Sequence, residues 1–498
     1  MKIYFSIAGL CLGAACRKLV MRRKQRRNEV KMKGRKSKIM ALLLTTSVVL
    51  AACGNAGTEN SNGNDAASGQ TAETAQNTTK TASSDASDLV WWGWTPGSPL
   101  NEQYIAKFNE SYPDISITWK QTTVDDYDAA IKPALANGEG VDIFEVSAGS
   151  ANGGVQIFGS KAVDLTDALK GYLGDDYADK LNEASLSSMT VDGQIKALGV
   201  GTCYAGNLWI NQDLFDQYNV KVPTNMEEWK EACAAFEANG IIGFVQGAGQ
   251  GAFNIDTWHA ICDNVKPGEF TKATRGEAEW TDETFVTALN LWKSLFDEGI
   301  MQDGALGIQQ YPEANNLFLS GQAAMIMMGS WYTMNCLPDT MRANMEAASS
   351  TDDPFAMVPI NFPDIAGTGN VGYVFCDIDY AMAVSTCAKD QKAATDFALW
   401  LGASEEGQQM IADSLNLVPV LKSVTPNWDN VTLVNGEKQN DAVQEYLTNA
   451  VNNPDNPRFG GIGADLNQAM MDVLAGVASG TMTAEDGAAQ LAEVQAEQ

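Results

Sequence analysis

Trp94 and Trp331 are the side chains whose surroundings point most directly to chemistry. Each follows an apolar run and sits beside glycine and short polar residues, Trp94 before Thr95-Pro96-Gly97 and Trp331 after Gly329-Ser330. A flat indole at a strand end can stack on the apolar face of a sugar ring while carboxylates and amides hydrogen-bond its hydroxyls. Trp258 ends the glycine-rich stretch 247–258 and suits either cleft contact or core packing. Glu145 and Ser147 close the run 141–146, where they would present a carboxylate and a hydroxyl to a ligand or serve as a helix cap or solvated loop.

Other chemistries are excluded by count or context. His259 is the only histidine, which removes a Ser-His-Asp triad elsewhere and any two-histidine zinc motif. The glycines at 367, 369 and 372 satisfy G-x-G-x-x-G, but a strand-like run follows them where a dinucleotide site needs a helix N-terminus. No Walker A sequence and no C-x-x-C occurs, and the pairing of Cys203, Cys233, Cys262, Cys336, Cys376 and Cys387 is left open. No cofactor and no metal is expected. A glycoside hydrolase would need two carboxylates about 5 to 9.5 Å apart, and no pair is marked out by its local context.

The elements that must hold these residues alternate. The run 89–94 (LVWWGW) reads as a strand buried on both faces. A helix follows, with Ser98 as cap, Pro99 in its first turn, and Leu100, Tyr104, Ile105 and Phe108 on one face. Ile115, Ile117 and Trp119 alternate as a strand, a helix surrounds Tyr127 and Ile131, and 141–146 is the next strand. That order implies a parallel sheet with right-handed crossovers. Asp192-Gly193 marks a hairpin leading into 198–211, and Thr224-x-x-Glu227 is a capping box that opens a second α/β series. Ligands of such sheets gather outside the carboxyl ends of the strands, where Trp94 and Trp331 fall.

The N-terminal part has a different character. A basic segment, the twelve-residue apolar run 39–50 and Leu50-Ala51-Ala52-Cys53 precede a tract to residue 88 with no aromatic or large aliphatic side chain. The apolar run is shorter than the roughly 20 residues a membrane span needs and suits a signal peptide. Residues 1–52 are therefore expected to be a signal, of ordinary size if it starts at Met32, and 53–88 a tether. Beyond residue 52 the chain carries 20 Lys and Arg against 61 acids, a net charge of −41. Such a surface repels phosphate backbones and anionic headgroups, so no nucleic-acid partner is expected. Roughly 410 residues exceed one ordinary core, so two lobes are expected.

With these pieces placed, the chain resembles the carbohydrate-binding extracellular solute-binding proteins of ABC importers, the group that includes the maltose-binding proteins. Phe108, Pro113 and Ile115 fit the family's F-x-x-x-x-P-x-I, and residues 208–215 (LWINQDLF) fit L-x-Y-N-K-D-L-F. Residues 223–229 are similar to P-x-T-W-E-E, and Gly321-Gln-Ala-Ala-Met325 before Gly329-Ser-Trp331 to G-x-A-A-M and G-x-W. The small residues before Cys53 look like a bacterial lipobox, which would make Cys53 a lipidated N-terminus. Burial of its acyl chains at roughly 0.8 kcal/mol per CH2 would be the only membrane contact.

The resemblance implies an α/β, two-lobed type II periplasmic-binding fold. Its hinge of about three crossing segments is placed near 202–204, 359–362 and 401–404. The N-terminal lobe is then 89–203 plus 359–402, and the C-terminal lobe 204–358 plus 403–498. It also implies a non-enzymatic, monomeric protein that hands a carbohydrate, most simply an oligosaccharide, to permease subunits. A surface sensor or adhesin on the same fold is the alternative. The stacking role passes to Trp331, loop contacts to Trp94 and Thr95, and a hinge contact to Tyr204. Trp258, His259, Tyr373, Arg458 and Phe459 complete the expected site, with Glu145 and Ser147.

Overall fold

Among the described residues twelve strands order the chain: β1 Ser87–Gly93, β2 Ile115–Gln121, β3 Ile143–Val146, β4 Thr190–Val191, β5 Gln194–Ile195, β6 Leu198–Ala205, β7 Asn207–Asn211, β8 Ile242–Val245, β9 Ala323–Met327, β10 Met357–Asn361, β11 Phe375–Val384 and β12 Val418–Pro419. The structure, a computed structural model, describes residues 86–497 apart from 98–99, 139, 149–152, 452–455 and 461. The expected signal, Cys53, the tether up to residue 85, and the Ser98-Pro99 helix start lie outside the described residues.

Two sheets carry two lobes. The first has the order β12-β6-β11-β3-β1-β2 and the second β10-β7-β9-β8, with β4 and β5 as a separate hairpin. β1 runs parallel to both β2 and β3, as alternation of strand and helix requires. β11 enters antiparallel between β3 and β6. The core of the first lobe is aromatic: Trp91 meets Trp119 edge-on at 4.4 Å and Phe397 at 5.5 Å. In the second lobe Trp258 stacks on Trp280 at 5.8 Å, and Trp292 donates its indole N–H to the Leu474 carbonyl.

The chain changes sheet at Gly206, two residues beyond the expected first crossing. β6 and β7 are fully buried on either side of it. Gly206 has φ +105°, and a Cβ there would lie 2.8 Å from the Tyr373 carbonyl oxygen, so only glycine makes this turn without strain. The second crossing also falls later than expected. Pro359 still pairs with Trp209 in the second sheet, and the chain rejoins the first at Phe375, opposite Ala205. The two crossings are thus neighbours in one antiparallel ribbon.

The third crossing corrects the expected 401–404. Helix Gln391–Ala403 and helix Glu405–Asp413 both pack in the first lobe, through Phe397, Leu401, Ile411 and Ala412. Leu417, Val420 and Val424 belong to the same core, whereas Leu433 lies in a core with Trp209 and Phe318. The chain therefore leaves the first lobe after Val424. Ser404 caps the second of these helices by accepting from the Gly407 N–H, so the polar break in the sequence restarts a helix and does not change lobe. At the second α/β series the cap is Asn225, accepting from the Glu228 N–H, and not Thr224.

Gln408 fixes this edge of the first lobe. Fully buried, it donates to the carbonyls of Val200 and Leu401 and accepts from the N–H groups of Val420 and Leu421. Gln408→Leu keeps the bulk and removes all four bonds. We expect it to lower unfolding free energy by at least about 3 kcal/mol, measured by denaturant titration, because buried groups left unpaired cost about 1–3 kcal/mol each.

Candidate functional site

The carboxyl ends of β1 and β3 and the loops following β8 and β9 open onto one cleft between the lobes. It encloses about 1840 Å³. The hinge ribbon forms its floor, contributing Cys203, Asp377 and Asp379. Of the expected residues, Trp94, Thr95, Ser147, Trp331, Arg458 and Phe459 line this space.

The Trp94-Thr95 turn is held from behind by Glu145. One carboxylate oxygen of Glu145 accepts from the Trp94 N–H at 2.8 Å and the Thr95 N–H at 3.4 Å. The side chain is fully buried and does not reach the cleft, which corrects its expected ligand role to support of the loop. Burial pushes its carboxyl well above the usual range, against the pull of those two N–H groups. Gly93 makes room for it, since a Cβ there would fall 2.0 Å from the Glu145 carboxyl carbon. Tyr127 then packs edge-on against Trp94 at 4.9 Å and donates its hydroxyl to the Glu145 carbonyl. The indole is set before any ligand arrives.

Arg458 is the only Lys or Arg among the described residues that line the cleft, and it is already engaged. It grips Asp256 through Nε at 2.8 Å and Nη2 at 2.5 Å, the fork geometry that suits a carboxylate. Its guanidinium lies over the rings of Trp331 and Phe459, 4.5 and 4.6 Å from their centroids. Burial works against charge on both partners, and the adjacent Asp256 holds the guanidinium above its usual range. One face of Trp331 is therefore covered. Its indole N–H donates to the Tyr311 hydroxyl at 3.2 Å and its edge meets Phe253, leaving the remainder toward the cleft.

Asp377 and Asp379 were not anticipated from sequence, although two acids alternating within the apolar strand FCDIDYAMAV were a signal. Asp377 accepts from the N–H groups of Phe459 and Gly460, and burial pushes its carboxyl up to about 6. Asp379 is raised by the same cause and faces the Cys203 thiol. With Asp126, Asp339, Glu406 and Asp413 also lining the cleft, its walls are rich in hydrogen-bond acceptors.

Four expected residues lie elsewhere. Tyr204 is buried in the ribbon with Val374 and Cys376, its N–H donating to the Ser330 hydroxyl. Trp258 is fully buried in the second lobe. The glycines before it serve packing, since a Cβ on Gly247 or Gly249 would strike the backbone of residues 308–310. Tyr373 sits at the surface, 39% exposed, on a loop that does not line the cleft. His259 is sandwiched between Phe270 and Phe375, with centroids 3.9 and 4.0 Å away.

Burial pushes the His259 imidazole down to about 3 from an ordinary 6.5. Between those values the unfolded chain binds the extra proton, so this residue's contribution to stability is full above about pH 6.5 and is lost as pH falls toward 3. His259→Phe keeps the stacked ring and removes the proton site. The variant is expected to lose less stability than wild type between pH 6.5 and 4, measured by urea titration across that range.

A family model described as bacterial extracellular solute-binding protein matches residues 91–409. A protein of Brucella abortus (strain 2308) described as a binding protein is 27% identical over 199 residues, 37% of this chain and 45% of its own length. The match thus spans less than half of that relative. Among solved structures, one from work on xylan utilization by the thermophilic bacterium Caldanaerobius polysaccharolyticus shares 24% identity with a TM-score of 0.65, over 82% of this chain and 99% of its own. A chitin oligosaccharide binding protein shares 19% with a TM-score of 0.63, over 82% and 98%. At these identities the likeness is one of fold.

Proposed function

The chain belongs to the bacterial extracellular solute-binding proteins, and from that membership we propose that its cleft captures a carbohydrate and delivers it, chemically unchanged, to the permease of an ABC importer. The observation that carries this reading is a cleft that combines the preset indoles Trp94 and Trp331 with carboxylates and carboxamides and no uncommitted cation among its described lining residues. Indole supports the apolar face of a pyranose ring, and carboxylates accept strongly from hydroxyls. The structures related to xylan utilization and chitin oligosaccharide binding support the same ligand class.

Trp94, Thr95, Ser147, Trp331 and Phe459 are the contacts assigned to the ligand. Arg458 is assigned to positioning the Trp331 ring. Lobe closure about the ribbon of β6 and β11 would exclude water from the sugar, driven by contacts made only in the shut form. Lipidation of Cys53 with the polar tract as tether would hold the protein at the outer face of the membrane. Among the described residues no helix is long and apolar enough to cross one. The protein is proposed to act as a monomer.

Ligand that binds only the folded state raises its stability by mass action. A thermal-shift screen of sugars is expected to raise the melting temperature with at least one glycan. Failure with every glycan, coupled with a shift by an amino acid or a polyamine, would overturn the reading. Trp331→Ala is expected to weaken the best glycan by about 1–3 kcal/mol, roughly five- to hundredfold in Kd, measured by calorimetry. An unchanged Kd would remove Trp331 from the site.

A further inference from the structure

Residues 456–460 read Asn-Pro-Arg-Phe-Gly, and two of them, Arg458 and Phe459, stand in the cleft wall. A proline after Asn456 favours an extended chain there and brings no N–H of its own. The segment accordingly runs alongside β11, with Pro457 opposite Cys376 in a parallel bridge. The two bonds of this bridge come from the residues flanking the proline. The Cys376 N–H donates to the Asn456 carbonyl at 2.8 Å, and the Arg458 N–H donates to the Cys376 carbonyl at 3.2 Å. Beyond them the Asp377 carboxylate accepts from the N–H groups of Phe459 and Gly460. These backbone bonds all join the segment to the hinge ribbon.

The side chain of Asn456 makes a different connection. Its Oδ1 accepts from the Thr271 hydroxyl at 2.6 Å, and its Nδ2 donates to the Asp263 carboxylate at 3.0 Å. A longer contact from Nδ2 reaches the Val374 carbonyl at 3.4 Å, just before β11 begins. Asp263 and Thr271 are buried on helices Gly251–Val265 and Glu269–Thr274, whose apolar residues belong to the core of the second lobe. The Gly268 N–H also holds Asp263. Asp263 and Asp256 lie seven residues apart on the same helix, about two turns, and so share one face. Asp256 takes the Arg458 fork and Asp263 takes the Asn456 amide.

Relative to the second lobe, the ion pair alone would fix one point, and the segment could pivot about it. The amide of Asn456 supplies the second point. We infer that Asn456, which is not among the described residues lining the cleft, is a positioning residue for ligand binding, setting where Phe459 and Arg458 stand beside Trp331. The inference rests on the carbohydrate reading and adds to it a residue that acts without touching the sugar.

The test is calorimetric titration of the full chain with xylotetraose, chitotetraose and maltotetraose. Asn456→Ala is expected to raise the Kd of the accepted tetramer about tenfold. In a Phe459→Ala background the same substitution is expected to cost about threefold or less. In a Trp94→Ala background it is expected to cost the full tenfold, because a residue that acts through Phe459 couples to it and not to a contact on the other lobe. Melting curves establish that each variant is folded. Thr271→Val, which removes only the hydroxyl bonded to Asn456, is expected to weaken binding with the same selective coupling and carries the test should Asn456→Ala not fold. A Kd that neither substitution changes, or a loss of equal size in both backgrounds, would overturn the positioning role and leave the carbohydrate reading intact. Wild type that binds none of the three tetramers would overturn both.

Discussion

The cleft exists because two strands that belong to one sheet are also the links to another. Phe375, Cys376 and Asp377 of β11 pair with Ala205, Tyr204 and Cys203 of β6, and each strand leaves this ribbon directly for the second lobe. Paired strands resist stretching and shear but permit a change of twist, so the ribbon limits the lobes to bending about it. A further segment joins the ribbon, with the Cys376 N–H donating to the Asn456 carbonyl and the Arg458 N–H to the Cys376 carbonyl. That segment brings the Arg458 guanidinium onto Asp256 of the second lobe. A buried ion pair contributes little net stability, because desolvation offsets most of its Coulombic attraction. What the fork adds is direction, holding the cation over the rings of Trp331 and Phe459.

Much of this arrangement was legible in the chain. The strands β1, β2 and β3 announce themselves by apolar runs and alternation, and their parallel pairing follows from the helices between them. Trp94 and Trp331 could be placed because strand ends in open sheets are where ligands gather. The crossings were less legible for a physical reason. β6 and β7 are buried throughout, so hydrophobicity is uniform across the change of sheet, and only Gly206 marks it. At 401–404 the reverse happened: a capping serine interrupts the pattern although both helices pack on one lobe.

Within the site, sequence reasoning erred where a polar or aromatic residue has a structural use. His259 and Trp258 follow a glycine-rich stretch, a context shared by ligand loops and by tight backbone packing. Their neighbours decide between the two, and those neighbours are Phe270, Phe375 and Trp280, which are remote in sequence. Glu145 closes the run 141–146, a position that suits ligand contact, a helix cap or a solvated loop alike. Its carboxylate instead folds under the loop, over a glycine that leaves space for it. Asp377 and Asp379 escaped notice because the register placing them on the cleft floor is set by pairing with β6.

The acidic floor bears on how binding and closure are coupled. In the open cleft the carboxylates of Asp377 and Asp379 retain part of their hydration, and burial already raises both carboxyl groups. Closing the lobes over an empty cleft would strip that water and leave the lone pairs not already met by the Phe459 and Gly460 N–H groups or the Cys203 thiol without donors, which costs free energy for each ion. A ligand with hydroxyl groups replaces the lost water with donors held in place, and its apolar ring face covers the indoles that closure would otherwise leave against a void. On the proposed reading, the same residues that recognise the sugar therefore oppose closure in its absence. Arg458 relieves this opposition only in part: its charge pulls both carboxyl groups down, while its fork is directed at Asp256.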